Sequence, residues 1–323
     1  MKAIVREKYG PSDVLELRDI DLPECADDEV LVRGRAAGVG RDVWHVMTGL
    51  PYPIRLAGYG FRAPKNPVIG SDMAGVVEAL GRNVSRFQPG DEVFGIGKGS
   101  YAEYVCAGED KLAPKPANLT FEQAAVLAIM GSTALQALRD HGKVRPGQEV
   151  LIIGASGGVG TYAVQIAKAF GAHVTGVCST KKVEMVRSIG ADHVIDYTQE
   201  DFAEGDQRYD VILDIGGNSS LSRLRRALAQ RGTLVIVGGE GGGRWLGGTD
   251  RQLRAMMLSP VVGQKLGTFV NKENHEDLLV LKELIESGKV TPVIDRTYPL
   301  ARVPEAIRYL EEGHAQGKVV ITV

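Results

Sequence analysis

Apolar residues recur over roughly the first 120 positions in short runs cut by glycine and proline: EVLVRGRAAGVG, PVIGSDMAGVVEAL, PGDEVFGIG and YAEYVCA. Runs of that length with that punctuation predict short strands joined by tight turns, and so a mostly antiparallel, barrel-like β domain. At TFEQAAVLAIMGSTALQALRDHG the period changes. Thr120 is placed to cap, Glu122 and Gln123 follow, and alanine, leucine and isoleucine recur at helical spacing until Gly142, which predicts one long connecting helix. Strands and helices then alternate: EVLIIG, a helix through Ala167, HVTGVCS, a helix through Ile189, HVIDY, YDVILDIG, a helix through Leu228, and GTLVIVGG. That alternation predicts a parallel, doubly wound sheet. Beyond Gly243 come a helix near 275–287, the stretch VIDRTYPL, a helix in VPEAIRYLEEG and a terminal strand KVVITV, a tail expected to rejoin the first domain. The expected organisation is α/β, with domains at 1–124 and 125–268 and a returning segment at 269–323. GGEGGGRWLGG is the one biased stretch and is expected to be a mobile loop, while GTLVIVGG is an apolar candidate for a sheet edge.

The strand VLIIG runs into Ala155, Ser156, Gly157, Gly158, Val159 and Gly160 and then an apolar helix. This strand-turn-helix context is what a dinucleotide fingerprint requires, although Ala155 replaces the first glycine of G-x-G-x-x-G. Gly157 would let the backbone approach a pyrophosphate, Gly160 would let the helix pack on the sheet, and free N–H groups at the helix start would face the anion. The alternative is a tight turn that binds nothing. The next strand ends in Cys178, Ser179, Thr180, Lys181 and Lys182, where a site for NAD would offer an acid to the ribose 2′-hydroxyl. Hydroxyls and lysines there suit a 2′-phosphate, so NADPH is expected over NADH, unless the lysines only begin a solvated helix. Tyr197, closing HVIDY, is a candidate for the adenosine end or plain packing, and Gly238, after GTLVIVGG, joins the expected cofactor-binding set.

Composition changes this picture little. The 323 residues, 44% of them hydrophobic, suffice for two cores, and 38 Lys and Arg against 40 Asp and Glu include no basic arm for a phosphate backbone, so nucleic acid is not an expected partner. Cys25, Cys106 and Cys178 lie far apart without CxxC spacing, which argues against a disulfide framework and for a reducing compartment. With the opening MKAIV already strand-like and no run of eighteen apolar residues, a cytoplasmic protein without membrane attachment is expected.

PGDEVFG, GSYAEYV, GASGGVG and GADHVIDY, in this order, resemble the medium-chain dehydrogenase/reductase superfamily over nearly the whole chain. The resemblance implies a GroES-like, mostly β catalytic domain and a Rossmann-type domain. Where the zinc alcohol dehydrogenases of that superfamily carry cysteine in GVCGTD and histidine in GHE, this chain has Gly40 in GVGRDV and Ser71 and Asp72 in GSD. Neither glycine nor serine offers thiolate or imidazole, and the histidines at 45, 141, 173, 193, 275 and 314 have no metal-site spacing, so no metal is expected. The chain thus resembles the zinc-free quinone oxidoreductase-like branch, whose members pass hydride from NADPH to quinones or to the activated double bond of enones. That branch often reads GVNP, and Gly40 takes the place of its asparagine. By resemblance Tyr52 lines the substrate cleft, His45 stands where relatives have tyrosine, Thr133 approaches the nicotinamide, and Gly317 and Lys318 belong to a tail segment closing over the cofactor. His45 or Tyr52 is the expected proton donor for an enone, with packing beside Trp44 or within GLPYPI as the alternative. Two other functions stay open: a non-catalytic NADPH-binding regulator, and a zinc alcohol dehydrogenase with displaced ligands. A homodimer through the GTLVIVGG edge is expected from the family's habit.

Overall fold

The computed structural model describes every residue except 239–242. In chain order its strands are β1 (Lys2–Val5), β2 (Glu16–Asp19), β3 (Glu29–Val39), β4 (Asp72–Leu80), β5 (Glu92–Ile96), β6 (Tyr104–Gly108), β7 (Leu112–Pro114), β8 (Glu149–Ile153), β9 (His173–Cys178), β10 (His193–Asp196), β11 (Tyr209–Asp214), β12 (Leu228–Ile236), β13 (Lys265–Thr268), β14 (Ile294–Pro299) and β15 (Lys318–Thr322). The α-helices are α1 (Arg41–Thr48), α2 (Phe121–Ala124), α3 (Ala128–Gln136), α4 (Gly158–Ala169), α5 (Val183–Ser188), α6 (Leu221–Ala227), α7 (Gly243–Leu246), α8 (Thr249–Leu258), α9 (His275–Glu286) and α10 (Val303–Glu311). They divide into two compact units. One comprises Met1–Ser132, Lys272–Gly288 and Pro292–Val323, and the other Thr133–Asn271 with Lys289–Thr291.

The first unit is built on a seven-stranded sheet, β14-β15-β3-β4-β5-β7 with β6 also on β3, and all its pairings except β14 with β15 are antiparallel. Strand β3 is eleven residues long, and register shifts against β4 fall at Leu31/Val32 and Gly34/Ala36. Such irregularities bend a strand. Its first half pairs with β6 and its second half with β15, so the C-terminal strand completes this sheet. One core cluster gathers Val30, Val32, Met73, Val77, Val93 and Val105; another packs α1 and α10 through Val43, Met47 and Ile307.

The second unit is a parallel six-stranded sheet, β10-β9-β8-β11-β12-β13. In order of appearance that is 3-2-1-4-5-6, which reverses between β8 and β11 and marks a switch point at their carboxyl ends. Its strands are near-continuous apolar runs, as burial on both faces demands.

Four expectations need correction. The long helix is broken: α2 ends after the Thr120/Gln123 capping box, and α3 begins anew with Ile129 N–H donating to Asp72 Oδ1 at 2.8 Å, so an amide in the first turn of α3 is satisfied from β4. GTLVIVGG is not an edge, because β12 pairs with β11 on one side and β13 on the other. Cys25 and Cys106 form a disulfide across 81 residues, Cα to Cα 5.4 Å. Leu31 sits opposite Cys106 in the β3–β6 pairing, and Cys25 lies just ahead of β3, so sheet register joins what spacing kept apart; the reducing-compartment argument loses its ground. Finally, the GGEGGGRWLGG loop includes α7, while its residues 239–242 lie outside the description. No helix among the described residues is long and apolar enough to cross a membrane.

Candidate functional site

The glycine turn follows β8 at the switch point. Left-handed backbone falls on Gly154, at φ +88°, whereas Gly157 is the N-cap of α4 at φ −85° and ψ 178°, a conformation open to any residue. A Cβ on Gly160 would lie 2.1 Å from Gly154 O and 2.7 Å from the Ala155 carbonyl carbon, so this glycine lets the helix press against the strand end. A Cβ on Gly157 would meet only Gly154 O, at 3.5 Å. The space before it is free, a cradle a side chain would fill. The ladder of α4 opens with Thr161 N–H donating to Gly157 O at 3.0 Å, which leaves the amides of Gly158, Val159 and Gly160 ahead of it to face an anion. Ser156 is buried in the turn.

At the end of β9, Ser179 is half-buried, Lys181 exposed and Lys182 half-buried within the short turn Thr180–Lys182. An acid does stand beside them, on the neighbouring strand: Asp196 closes β10 opposite Cys178. Its Oδ1 accepts from Thr198 N–H (3.0 Å) and Oγ1 (2.7 Å), its Oδ2 from Gln199 Nε2 (3.0 Å), and the Thr180 hydroxyl leads the bonds that hold its carboxyl below the ordinary range. This carboxylate is committed to its own turn. Tyr197 is 59% exposed beside it.

Gly238 touches the next loop: a Cβ there would lie 2.1 Å from Ile215 O. Sequence reading missed the ion pair that fixes this junction. Arg251 on α8 donates Nη1 to Asp214 Oδ2 and to Ser219 O (2.8 Å), and Nη2 to Gly238 O (3.1 Å). Burial raises the Asp214 carboxyl, with Arg251 opposing. Thr133 is half-buried on α3.

In the first unit, His45 lies on α1, edge-on to the Trp44 ring at 5.1 Å, with Nδ1 2.7 Å from Leu50 O. A carbonyl only accepts, so Nδ1 carries the hydrogen and Nε2 of the neutral ring has none to give. Tyr52 sits under Arg55, whose guanidinium is 5.0 Å from its ring centre. Gly317, at φ +82°, presses against Val293 O, and Lys318 beside it points inward to Asp72 Oδ2 at 3.4 Å, both side chains 2% exposed. Asp42 shares this neighbourhood: a Cβ on Gly40 would lie 2.2 Å from Asp42 Oδ1 and 3.3 Å from Lys318 Nζ. Asp42 went unremarked in the sequence and Asp72 was noted only in place of a zinc-ligand segment, because strand pairing and the docking of α1, not sequence spacing, bring them to Lys318.

Among the described residues, the group of possible metal ligands is Cys25, Glu29 and Cys106, whose sulfurs are bonded to each other and whose carboxylate is paired with Lys98. It lies on the β3–β6 pairing, not at Gly40 and Ser71, and these donors do not fit a catalytic zinc.

Residues 26–117 match the alcohol dehydrogenase GroES-like domain and residues 189–321 the zinc-binding dehydrogenase family. The chain is 36% identical to the chloroplastic NADPH-dependent alkenal/one oxidoreductase of Arabidopsis thaliana over 99% of its own length and 79% of that protein's. It is 35% identical to the mitochondrial NAD(P)H oxidoreductase RTN4IP1 of Mus musculus, covering 100% and 89%. The Escherichia coli quinone oxidoreductase, solved in complex with NADPH, matches with a TM-score of 0.85 at 27% identity over 100% of both chains. The chain belongs to the medium-chain dehydrogenase/reductase superfamily, as an enzyme of its quinone-oxidoreductase-like branch.

Proposed function

We propose that the chain is a zinc-independent, NADPH-dependent reductase of quinones or of the activated double bonds of enones. The observation that carries this reading is the open cradle at Gly157, followed at the end of β9 by hydroxyls and lysines with no free carboxylate. The amides of Gly158, Val159 and Gly160, with Ser156, hold the pyrophosphate, and Ser179, Lys181 and Lys182 hold the 2′-phosphate. Tyr197 offers its exposed ring to the adenosine and Gly238 joins the cofactor set, to which the family resemblance adds Thr133, Gly317 and Lys318. NADPH supplies the hydride. The protein orients donor and acceptor and excludes water, which is enough for a quinone because the hydroquinone anion takes its proton from solvent. Tyr52 lines the acceptor side; His45, with Nδ1–H given to Leu50, donates a proton only as imidazolium. The alkenal/one and quinone activities in the relatives' names support this substrate class. A homodimer through the sheet edge would use β13, since β12 is interior.

The test follows NADPH absorbance with a panel of quinones and enones, before and after chelation, with NADH in parallel. Turnover of either class, indifferent to chelator and faster with NADPH, is expected. NADPH binding without turnover would make the protein a regulator, and zinc-dependent alcohol oxidation would overturn the assignment.

A further inference from the structure

We propose that Cys25, Glu29 and Cys106 form a redox-gated metal site: once the disulfide is reduced, the two thiolates and the carboxylate take one thiophilic divalent ion, such as Zn²⁺ or Cd²⁺, which then ties the same strands together. The two sulfurs and a Glu29 carboxylate oxygen lie within 4.8 Å of one another. All three residues belong to the first unit, and the site is independent of cofactor and acceptor.

Strand register and a tight turn build the cluster. In the β3–β6 pairing Glu29 faces Gly108 and Leu31 faces Cys106, so the side chains of Glu29 and Cys106 are diagonal neighbours on one face of the sheet. Cys25 is brought to them by a turn in which Glu29 N–H donates to Ala26 O at 3.0 Å and Glu29 Oε2 accepts from Ala26 N–H at 2.9 Å. Two ligands are thus fixed by strands, while Cys25 lies in the largely exposed connection between β2 and β3, where the chain can give. Two Zn–S bonds of about 2.3 Å at a tetrahedral angle put the sulfurs about 3.8 Å apart. Side-chain rotation reaches that separation in a pair whose Cα atoms are 5.4 Å apart.

Charge and access both favour an ion. Two thiolates beside the buried Glu29 carboxylate carry three negative charges, and the ammonium of Lys98, paired with Glu29 Oε1, offsets one of them. A divalent ion offsets the other two, and sulfur donors select Zn²⁺ or Cd²⁺ over Mg²⁺ or Ca²⁺. The approach lies on the Lys98 side: that side chain is 71% exposed and Cys25 is half-buried, so the ion enters without parting the sheet. Oε1 exchanges Lys98 for the metal, and Oε2 stays on the Ala26 amide.

The step balances. A phosphine gives its electron pair to the sulfur–sulfur bond and leaves as the phosphine oxide, with its oxygen from water, and two thiols result; a dithiol does the same by closing its own disulfide. The ion then forms two metal–sulfur bonds and releases both thiol protons to buffer.

The experiment takes the full chain air-oxidised and phosphine-reduced, the latter desalted without oxygen. Titration with Cd²⁺, followed by thiolate-to-cadmium charge-transfer absorbance, should reach one equivalent per chain in the reduced protein, at least about 100-fold tighter than in the oxidised. Cys25→Ser and Cys106→Ser should each abolish the band, and Glu29→Gln should weaken binding about tenfold. Cys178→Ser, which removes the remaining thiol, should leave it unchanged. Reduction should lower the thermal midpoint by several degrees, and one equivalent of Zn²⁺ should restore at least half of that shift. No band in the reduced wild type, a band that survives Cys25→Ser, unchanged affinity in Glu29→Gln, or a midpoint indifferent to Zn²⁺ would overturn the proposal.

Discussion

Gly160 and Gly40 both stand where a side chain has no room, yet different things occupy the space. At Gly160 it is main chain, Gly154 O at 2.1 Å; at Gly40 it is a carboxyl and, slightly farther, a methionine methyl from Met130. The first crowding is local to the seven residues of turn from Gly154 to Gly160, and any chain making that turn reproduces it. The second is made by side chains from α1 and α3, with Lys318 arriving from the last strand. One glycine makes way for backbone, the other for side chains.

The sharpest way to break this comparison is within the turn itself. Gly160→Val must displace the Gly154 carbonyl and should cost more than about 3 kcal/mol, a large part of the 5–15 kcal/mol that holds a domain. Gly157→Val meets only one atom, at 3.5 Å, and its φ of −85° strains nothing, so its thermal transition should fall by no more than a few degrees. Its NADPH binding by calorimetry should nevertheless vanish. Retained affinity would mean that the cradle is not the cofactor's seat.

The acid cluster predicts a smaller effect with a defined sign. Burial pushes the Asp72 carboxyl from 3.8 to about 6, with Lys318 opposing. The folded chain therefore keeps a proton that the unfolded chain has lost, and this group's contribution is greatest below about pH 4 and falls as pH rises to about 6. The loss is on the order of 2–3 kcal/mol. Urea denaturation at pH 4.5 and 7 should show a difference that narrows in Asp72→Asn, with a residual slope from Asp42 and Asp214, whose shifts have the same direction. An unchanged slope would place the retained proton elsewhere.

What was legible in the sequence follows the same division. The parallel sheet, the turn and the Thr120 cap rest on neighbours within a few residues, so period and residue type announce them. The Cys25–Cys106 bond, the Asp72–Lys318 pair and the Arg251–Asp214 pair join residues 81, 246 and 37 positions apart, and pairing register or helix docking decides them. The four-residue β13, KLGT, carries too little apolar pattern to separate strand from loop, and missing it made β12 look like an edge.

The smallest effect concerns Lys181 and Lys182, where local sequence and tertiary surroundings both bear on one prediction. The sequence offers two cations for the 2′-phosphate, which carries nearly two charges at neutral pH. The structure discounts them: Lys181 is exposed, Lys182 is half-buried and has a partner of its own, and exposed ion pairs are worth only a fraction of buried ones. Asp196 next to them is held by Thr180, Thr198 and Gln199, so it neither binds a ribose hydroxyl nor needs the lysines for neutralisation. Replacing both lysines by alanine should therefore weaken NADPH about three- to thirtyfold and leave NADH within about twofold, with the difference shrinking as salt is raised. Calorimetric titration of both cofactors at two ionic strengths measures it. An equal loss for NADPH and NADH would show that the lysines support the turn and do not read the phosphate, and cofactor choice would then rest on the Ser179 and Thr180 hydroxyls.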